Sequence, residues 1–389
     1  MSIRPLRQEE FEASLTLSEY AFQYKVAGED RVQSEKKFKP ERVWALFEED
    51  VLQAKLTLLP LEAYIQGKAV PMGGIAGVAT WPEHRRQGNV AKLLTNTLKV
   101  MYEQGQELSF LHPFLIPFYR KFGWEVYCEY KKYTLPTAKF PPKTDITGTV
   151  RRDAAPLETL QELYDAYAVQ YNGTLKRDEE WWKERVLDDS MHHCVFYTPE
   201  GAAQGYALYK IEKQELVIDE WVTLNEQARQ AIWTFFANHD SMVTGARLLM
   251  VPSDDMLPYM LPDPRITQEI HPYFMARIVN APAFIGRLEL NGREGLEPKN
   301  IALTDRYAPW NDGVWQWTVS PQGESSFVKL PQGTDTDLAC DIGTLTAMLF
   351  GYKRPNDMSS YGKLEGDREA LEWLEQLLPK AKTALFDFF

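Results

Sequence analysis

Arg85 and Arg86 come just before a lone Gly88 in the stretch WPEHRRQGNVAKLL (residues 81–94), and an amphipathic run begins directly after the glycine. Residues of these types at this spacing can bind an anion. The first backbone N–H groups of a helix have no intrahelical acceptor and point outward, and the helix dipole adds about half a positive charge at that end. Gly88 has no Cβ to hold a diphosphate away from the backbone. The two guanidinium groups can add charge-assisted hydrogen bonds. In a chain of formal net charge −12, positive charge gathered at a helix start suits an anionic ligand. On spacing alone the alternative, two solvated arginines before an ordinary helix, stays open.

Other chemistries find less support. The six histidines form no metal set; His192 and His193 are adjacent, so in a strand their side chains diverge. Cys128, Cys194 and Cys340 lie far apart with no CxxC pair, which argues against a zinc cage or a disulfide framework and fits a reducing cytoplasm. No GxSxG elbow or cysteine–histidine signature marks a covalent nucleophile. No metal is expected. The opening MSIRPLRQEEFEAS lacks the apolar core of a signal peptide, and no apolar run reaches the roughly 18–20 residues of a membrane span. A cytoplasmic protein with no membrane partner is expected. The acidic balance disfavours nucleic acid and suits cationic small molecules or peptides.

The elements that must position these residues follow from periodicity. At 389 residues the chain is too long for one ordinary core. Its 44% hydrophobic and 25% charged residues are those of a globular protein. Phe11, Leu15, Leu17 and Phe22 recur at roughly helical spacing. Leu52, Ala54, Leu56 and Leu58 alternate with Gln53, Lys55 and Thr57, which predicts a half-buried strand. Gly67 turns that strand into a hairpin, and 72–80 follows as a short buried strand. Val90, Leu94, Leu98 and Met101 then share one helical face. A strand at 107–113, a short helix closed by Gly123 and one strand over WEVYCEYKKYTL complete a small α/β unit. It ends near residue 140, where the Pro- and Lys-rich stretch 136–145 reads as a linker. Helices at 155–171 and 226–239 around a β-meander loosely repeat this unit, without the glycine turn. RDEEWWKERV (177–186) reads as a half-buried helix face. A third unit begins near MARIVNAPAFI, places Trp315 and Trp317 on one strand face, and ends on TALFDFF, in which Asp387 reads as a solvated tail residue.

VATWPEHRRQGNVAKLL resembles the acetyl-CoA signature of GNAT-type N-acetyltransferases, Arg/Gln-x-x-Gly-x-Gly/Ala. It matches at Arg85 and Gly88 and departs at Val90. With PFYRKFGWE, MARIVNAPAFI and TALFDFF in order, the whole chain resembles the Eis-like (enhanced intracellular survival) branch. The resemblance implies an α/β (α+β) chain: a catalytic GNAT-type domain (1–140), a second GNAT-type domain without a cofactor site (141–275), and a sterol-carrier-protein-like domain (276–389). It implies acetyl-CoA as co-substrate. Val78, Ala79 and Thr80 would pair with the pantetheine arm. Arg85 would open a pyrophosphate loop of Arg86, Gln87, Gly88, Asn89, Val90 and Ala91. Phe114 and Leu115 would flank the thioester.

Tyr119 then corresponds to the general acid, and the carboxylate of Phe389, the last residue given, to the base. An α-carboxyl near pKa 3.5 is a poor base for an alkylammonium near about 10.4. Phe389 is therefore read as positioning the amine and accepting its proton late, through water, with Asp387 as a neighbouring carboxylate. The implied reaction is direct acetyl transfer in a ternary complex to a primary amine, such as that of an aminoglycoside, a polyamine or a lysine side chain. The resemblance also implies a homo-oligomer, often a hexamer. The third domain leaves a second reading open, a hydrophobic-ligand or lipid carrier.

Overall fold

A computed structural model describes residues 1–389. The chain opens with β1 (Ser2–Pro5), α1 (Phe11–Phe22), α2 (Gly28–Lys36), β2 (Val43–Glu48), β3 (Val51–Ile65) and β4 (Lys68–Thr80). It continues through α3 (Asn89–Glu103), β5 (Leu108–Leu111), α4 (Ile116–Arg120) and β6 (Glu125–Val126). There follow β7 (Glu129–Pro136), β8 (Thr149–Arg152), α5 (Leu157–Ala168), β9 (His192–Tyr197), β10 (Ala203–Glu212) and β11 (Glu215–Thr223). After a helix at Glu226–Ala237 come β12 (Gly245–Pro252), β13 (Thr267–Pro272) and β14 (Met275–Ile278).

These strands form two seven-stranded sheets, ordered β1-β2-β3-β4-β5-β14-β6 and β13-β7-β12-β11-β10-β9-β8. The orders reveal an exchange. The expected single strand over WEVYCEYKKYTL breaks after Val126. Its second half, β7, crosses into the other sheet, where it pairs with both β12 and β13. In return β14 slots between β5 and β6 of the first sheet. The MARI stretch, expected to open the third unit, therefore belongs to the first sheet. Cuts at residues 140 and 275 divide the sequence but not the sheets. Arg277 of β14 shows what holds the exchanged strand. Its guanidinium, fully buried, grips Asp305 of the third unit through Nη2 at 2.6 Å to both carboxylate oxygens and donates to the Phe122 carbonyl.

The third unit is a five-stranded sheet over residues 299–366 with helices at Ala281–Arg287, Ile342–Phe350 and Arg368–Leu377. Trp315 and Trp317 do share its inner face; Trp315 stacks on Phe327 at 4.9 Å between ring centroids. Its apolar residues join Phe110, Ile278 and Phe389 in one continuous core with the first sheet. No helix is long and apolar enough to cross a membrane.

The hairpin β3–β4 departs from the half-buried strand expected at 52–58, because Gln53 and Lys55 are buried too. α1 covers that second face. Lys55 Nζ donates to Ser14 O at 2.7 Å and Ser14 Oγ at 2.6 Å, and burial pushes its pKa down to about 8. The unfolded chain binds that proton more tightly, up to a pKa of roughly 10.4, so stability rises with pH between the two values. Raising the pH from 8 to 9.5 should stabilise the protein by about 1.5 kcal/mol from this group. Lys55→Met should flatten the rise, as read from urea midpoints.

Candidate active site

β4 and β5 run parallel and pair from Met72↔Leu108 to Ile75↔Leu111, where the pairing stops. β4 continues to Thr80 bonded only to β3, so its other edge stands open from Ala76 onward. A bulge at this point sets Gly77 and Val78 against the single residue Leu56. The notch between the diverging strands is the mouth of a cavity of about 680 Å³. It brings together eight of the residues singled out in the sequence: Val78, Ala79, Thr80, Arg85, Val90, Phe114, Tyr119 and Phe389.

The remaining six lie outside its walls. Leu115 is the N-cap residue of α4 and is 52% exposed. Arg86, Gln87, Gly88, Asn89 and Ala91 belong to the turn into α3, where their backbone matters more than their side chains. Gln87 Nε2 folds back onto the Glu83 carbonyl at 3.0 Å, and Asn89 is buried, donating to Gln53 Oε1 at 3.0 Å. The first bond of α3 runs from Lys92 N to Gly88 O. The six N–H groups of residues 86–91 have no acceptor in the chain. Gly88 caps the helix at φ +76°, in the left-handed region, with nothing of the chain within 4 Å of where a Cβ would sit. Arg85 Nε rests on the Thr80 carbonyl at 3.3 Å, at the cavity's edge. Six free donors, an open glycine and a guanidinium at the end of a splayed strand fit a diphosphate and a pantetheine arm.

Tyr119 is 2% exposed, its hydroxyl has no partner in the chain, and burial pushes its phenol above the usual value of 10. Phe114 and Phe118 meet its ring edge-on at 5.4 and 5.2 Å. Across the cavity lies the tail. Phe389 packs on Phe274 at 4.8 Å, and its ring covers Gly74 of β4 so closely that a Cβ there would meet it at 2.8 Å. A mid-strand glycine marks such a close approach of another part of the chain.

Asp387 is not a solvated tail residue. It is buried, accepts from Arg177 Nε at 2.8 Å and Trp181 Nε1 at 2.7 Å, and its carbonyl accepts from Tyr273 Oη at 2.8 Å. Arg177 in turn binds both carboxylate oxygens of Glu220 in β11, at 3.0 and 2.6 Å. Burial and the nearby Glu220 push the Asp387 carboxyl above its ordinary value, against the pull of Arg177. RDEEWWKERV thus does more than present a half-buried face. It forms one α-helical turn, Glu179–Trp181, that runs into a wider π-helical turn, Trp182–Val186, and delivers Arg177 and Trp181 to the tail. Farther off, His192 and His193 diverge as expected, one against Tyr209 and the other accepting from Ala155 N, though both reach Asp153, at 2.8 and 3.7 Å.

Sequence reasoning also passed over His112, just beyond the end of β5. It lines the cavity, packs on Phe388 at 4.9 Å, and burial lowers its pKa from 6.5, leaving a neutral ring at pH 7. Its position after a strand that ends at a splay was the available signal.

The geometry is that of a thioester-using acyl transferase, and the comparisons agree. Residues 2–127 and 173–278 each match an acetyltransferase (GNAT) domain, and 281–386 match a sterol carrier protein domain. An uncharacterized N-acetyltransferase of Streptomyces avermitilis is 24% identical over 362 residues, covering 85% of this chain and 84% of the relative. The N-acetyltransferase Eis of Mycobacterium tuberculosis is 24% identical over 246 residues, 58% of this chain and 60% of the other. Among solved structures, a probable N-acyltransferase of unknown function from Enterococcus faecalis superposes with a TM-score of 0.92 at 28% identity, covering 100% of this chain and 99% of that one. An Eis protein of Mycobacterium abscessus shares the fold, with a TM-score of 0.83 at 20% identity over 100% of both chains. The fold and cavity thus define an N-acetyltransferase built of tandem GNAT domains and a sterol-carrier-like domain. The chain belongs to the GNAT superfamily of acetyltransferases, whose domains use acetyl-CoA, and it is similar to the Eis-like branch of that superfamily.

Gly88→Ala should raise the Kd for CoA at least ~10-fold, measured by calorimetry. Its left-handed φ should cost about 1 kcal/mol of stability. Asp387→Ala should cost roughly 2–4 kcal/mol in chemical denaturation and lower kcat, with the Kd for CoA unchanged.

Proposed function

We propose that the protein transfers an acetyl group from acetyl-CoA directly to a primary amine, within a ternary complex, in the cavity between β4, α4 and the tail. The observation that carries this reading is the convergence of Tyr119 and Phe389 on one cavity beside the open edge of β4. In this reading residues 1–140 form the catalytic unit, 141–275 lack a cofactor site, and 276–389 supply the terminal carboxylate.

Bound there, acetyl-CoA would supply an activated carbonyl and a thiolate leaving group. The N–H groups of 86–91 and Arg85 hold the diphosphate, and the free edge of Val78–Thr80 holds the arm that precedes the thioester. Tyr119 Oη donates a hydrogen bond to the sulfur as charge collects on it. Because burial weakens the phenol as an acid, this bond stabilises the thiolate more than it protonates it. On the amine side this reading supplies two acceptors, the carboxylate assigned to Phe389 and the neutral His112 imidazole, a residue of the cavity wall. The carboxylate orients the ammonium by charge, and His112, much closer in pKa to an amine, is the better place for its proton.

The carrier reading gains nothing from the third unit. Its large aromatics Trp315, Trp317, Phe327 and Phe350 are buried in the core that unit shares with the first sheet.

Tyr119→Phe should lower kcat by about 10²–10⁴-fold, in a thiol-release assay, while the Kd for CoA stays within about threefold. Amidating the Phe389 carboxylate by peptide ligation should lower kcat without moving the melting temperature. Full activity in both proteins would remove these residues from the mechanism.

A further inference from the structure

Apart from Thr80, Arg85, His112 and Tyr119, the side chains that line the cavity are apolar. Ala21, Phe22, Phe114, Phe118, Phe388 and Phe389 face it, and no aspartate or glutamate side chain is among its walls. Its ionisable side chains are Arg85, His112 and Tyr119; in the transfer reading the carboxylate assigned to Phe389 adds one negative charge. Carboxylates close by are committed elsewhere. Asp387 is held by Arg177 and Trp181, and Glu19 of α1 by Lys25 Nζ at 3.0 Å and Val26 N at 2.9 Å. In the smaller cleft lined by Trp181, Glu184 pairs with Lys37 at 2.9 Å and Glu180 with Lys39, while Asp178 accepts from Trp181 N at 2.7 Å. Meanwhile Phe22, Phe114 and Phe388 are 50%, 69% and 61% exposed around one opening. Large apolar side chains left in water together mark a surface that a ligand covers.

Charge counting decides what that ligand is. One carboxylate can match one ammonium. A second or third ammonium would leave water among aromatic walls with no counter-ion, and ring faces return less than that hydration is worth. We infer that the acceptor is a small monoamine carried on an aromatic or other apolar body, not a polycation. The inference rests on the transfer reading above and names its substrate class. The ring of such an amine would lie against Phe22 and Phe388, with its nitrogen toward the Phe389 carboxylate and His112.

The test compares 2-phenylethylamine, spermidine, an aminoglycoside and a lysine-containing peptide as acceptors for the full-length protein with acetyl-CoA. The expected kcat/KM for 2-phenylethylamine is roughly 100-fold above that for spermidine or the aminoglycoside. Equal or better use of either polycation, or of the peptide, would overturn the inference. Phe22→Glu, at an exposed position, should lower the ratio of 2-phenylethylamine to spermidine at least ~10-fold, a readout that partial unfolding does not move. An unchanged ratio would count against the inference. Calorimetric titration of each amine into protein saturated with CoA separates the two claims. Preferential binding of 2-phenylethylamine without turnover would defeat the transfer mechanism and support the substrate class. Failure of 2-phenylethylamine to bind, or tighter binding of spermidine, would defeat the substrate class.

Discussion

The buried guanidinium of Arg177 is the constraint on which the site depends. It joins Glu220 in the second sheet to Asp387 in the tail, with its face over the Tyr164 ring at 3.8 Å. One cation between two carboxylates, all out of water, is a poor source of net stability, because desolvation offsets most of the attraction. It is a strong source of position. Any placement of the tail that separated Asp387 from Arg177 would leave the buried donors Arg177 Nε and Trp181 Nε1 without their acceptor. Asp387 is two residues from Phe389, and Tyr273 holds its carbonyl, so little conformational freedom remains for the final two residues. The second domain presents no glycine-opened helix start of its own, yet it holds the tail in place for the first.

The first domain meets the tail with equal economy. Where β4 parts from β5, the sheet provides an unpaired backbone edge, and the same strand a few residues earlier carries Gly73 and Gly74. Met101 and Gln106 close over the first of these and the Phe389 ring over the second. The strand is thinned where other parts of the chain must lie flat on it. Its open edge and its glycine pair therefore serve two ends of one cavity, with Tyr119 and His112 between them.

Much of this was legible in the sequence where the signal was local. The helix after Gly88 appears at Asn89–Glu103 because Val90, Leu94, Leu98 and Met101 make one stripe, and the glycine sits where a left-handed cap is needed. The hairpin turn at Gly67 and the Trp315–Trp317 face were equally plain. What escaped was non-local. Alternation along 52–58 said nothing of α1 lying over Lys55. A run such as WEVYCEYKKYTL cannot announce that its halves enter different sheets, since both halves have the same strand character. Asp387 looked like a solvated residue because its partners, Arg177 and Glu220, are about 170–210 positions away, and nothing in the tail itself names them. Likewise His112 had no motif around it, only a place at the end of a strand.

The exchange of β7 and β14 bears on how the polypeptide is made. β6 has no neighbour but β14, and β5 keeps a bare edge, Leu108–Leu111, until that strand arrives. The ribosome must add about 150 further residues first, which at ordinary elongation speeds takes on the order of 10–30 s. Throughout that interval an apolar strand edge, the kind that invites mispairing with other nascent chains, waits for its partner. The amino-terminal half is thus not an independent folding unit during synthesis, and the molecule matures only as a whole.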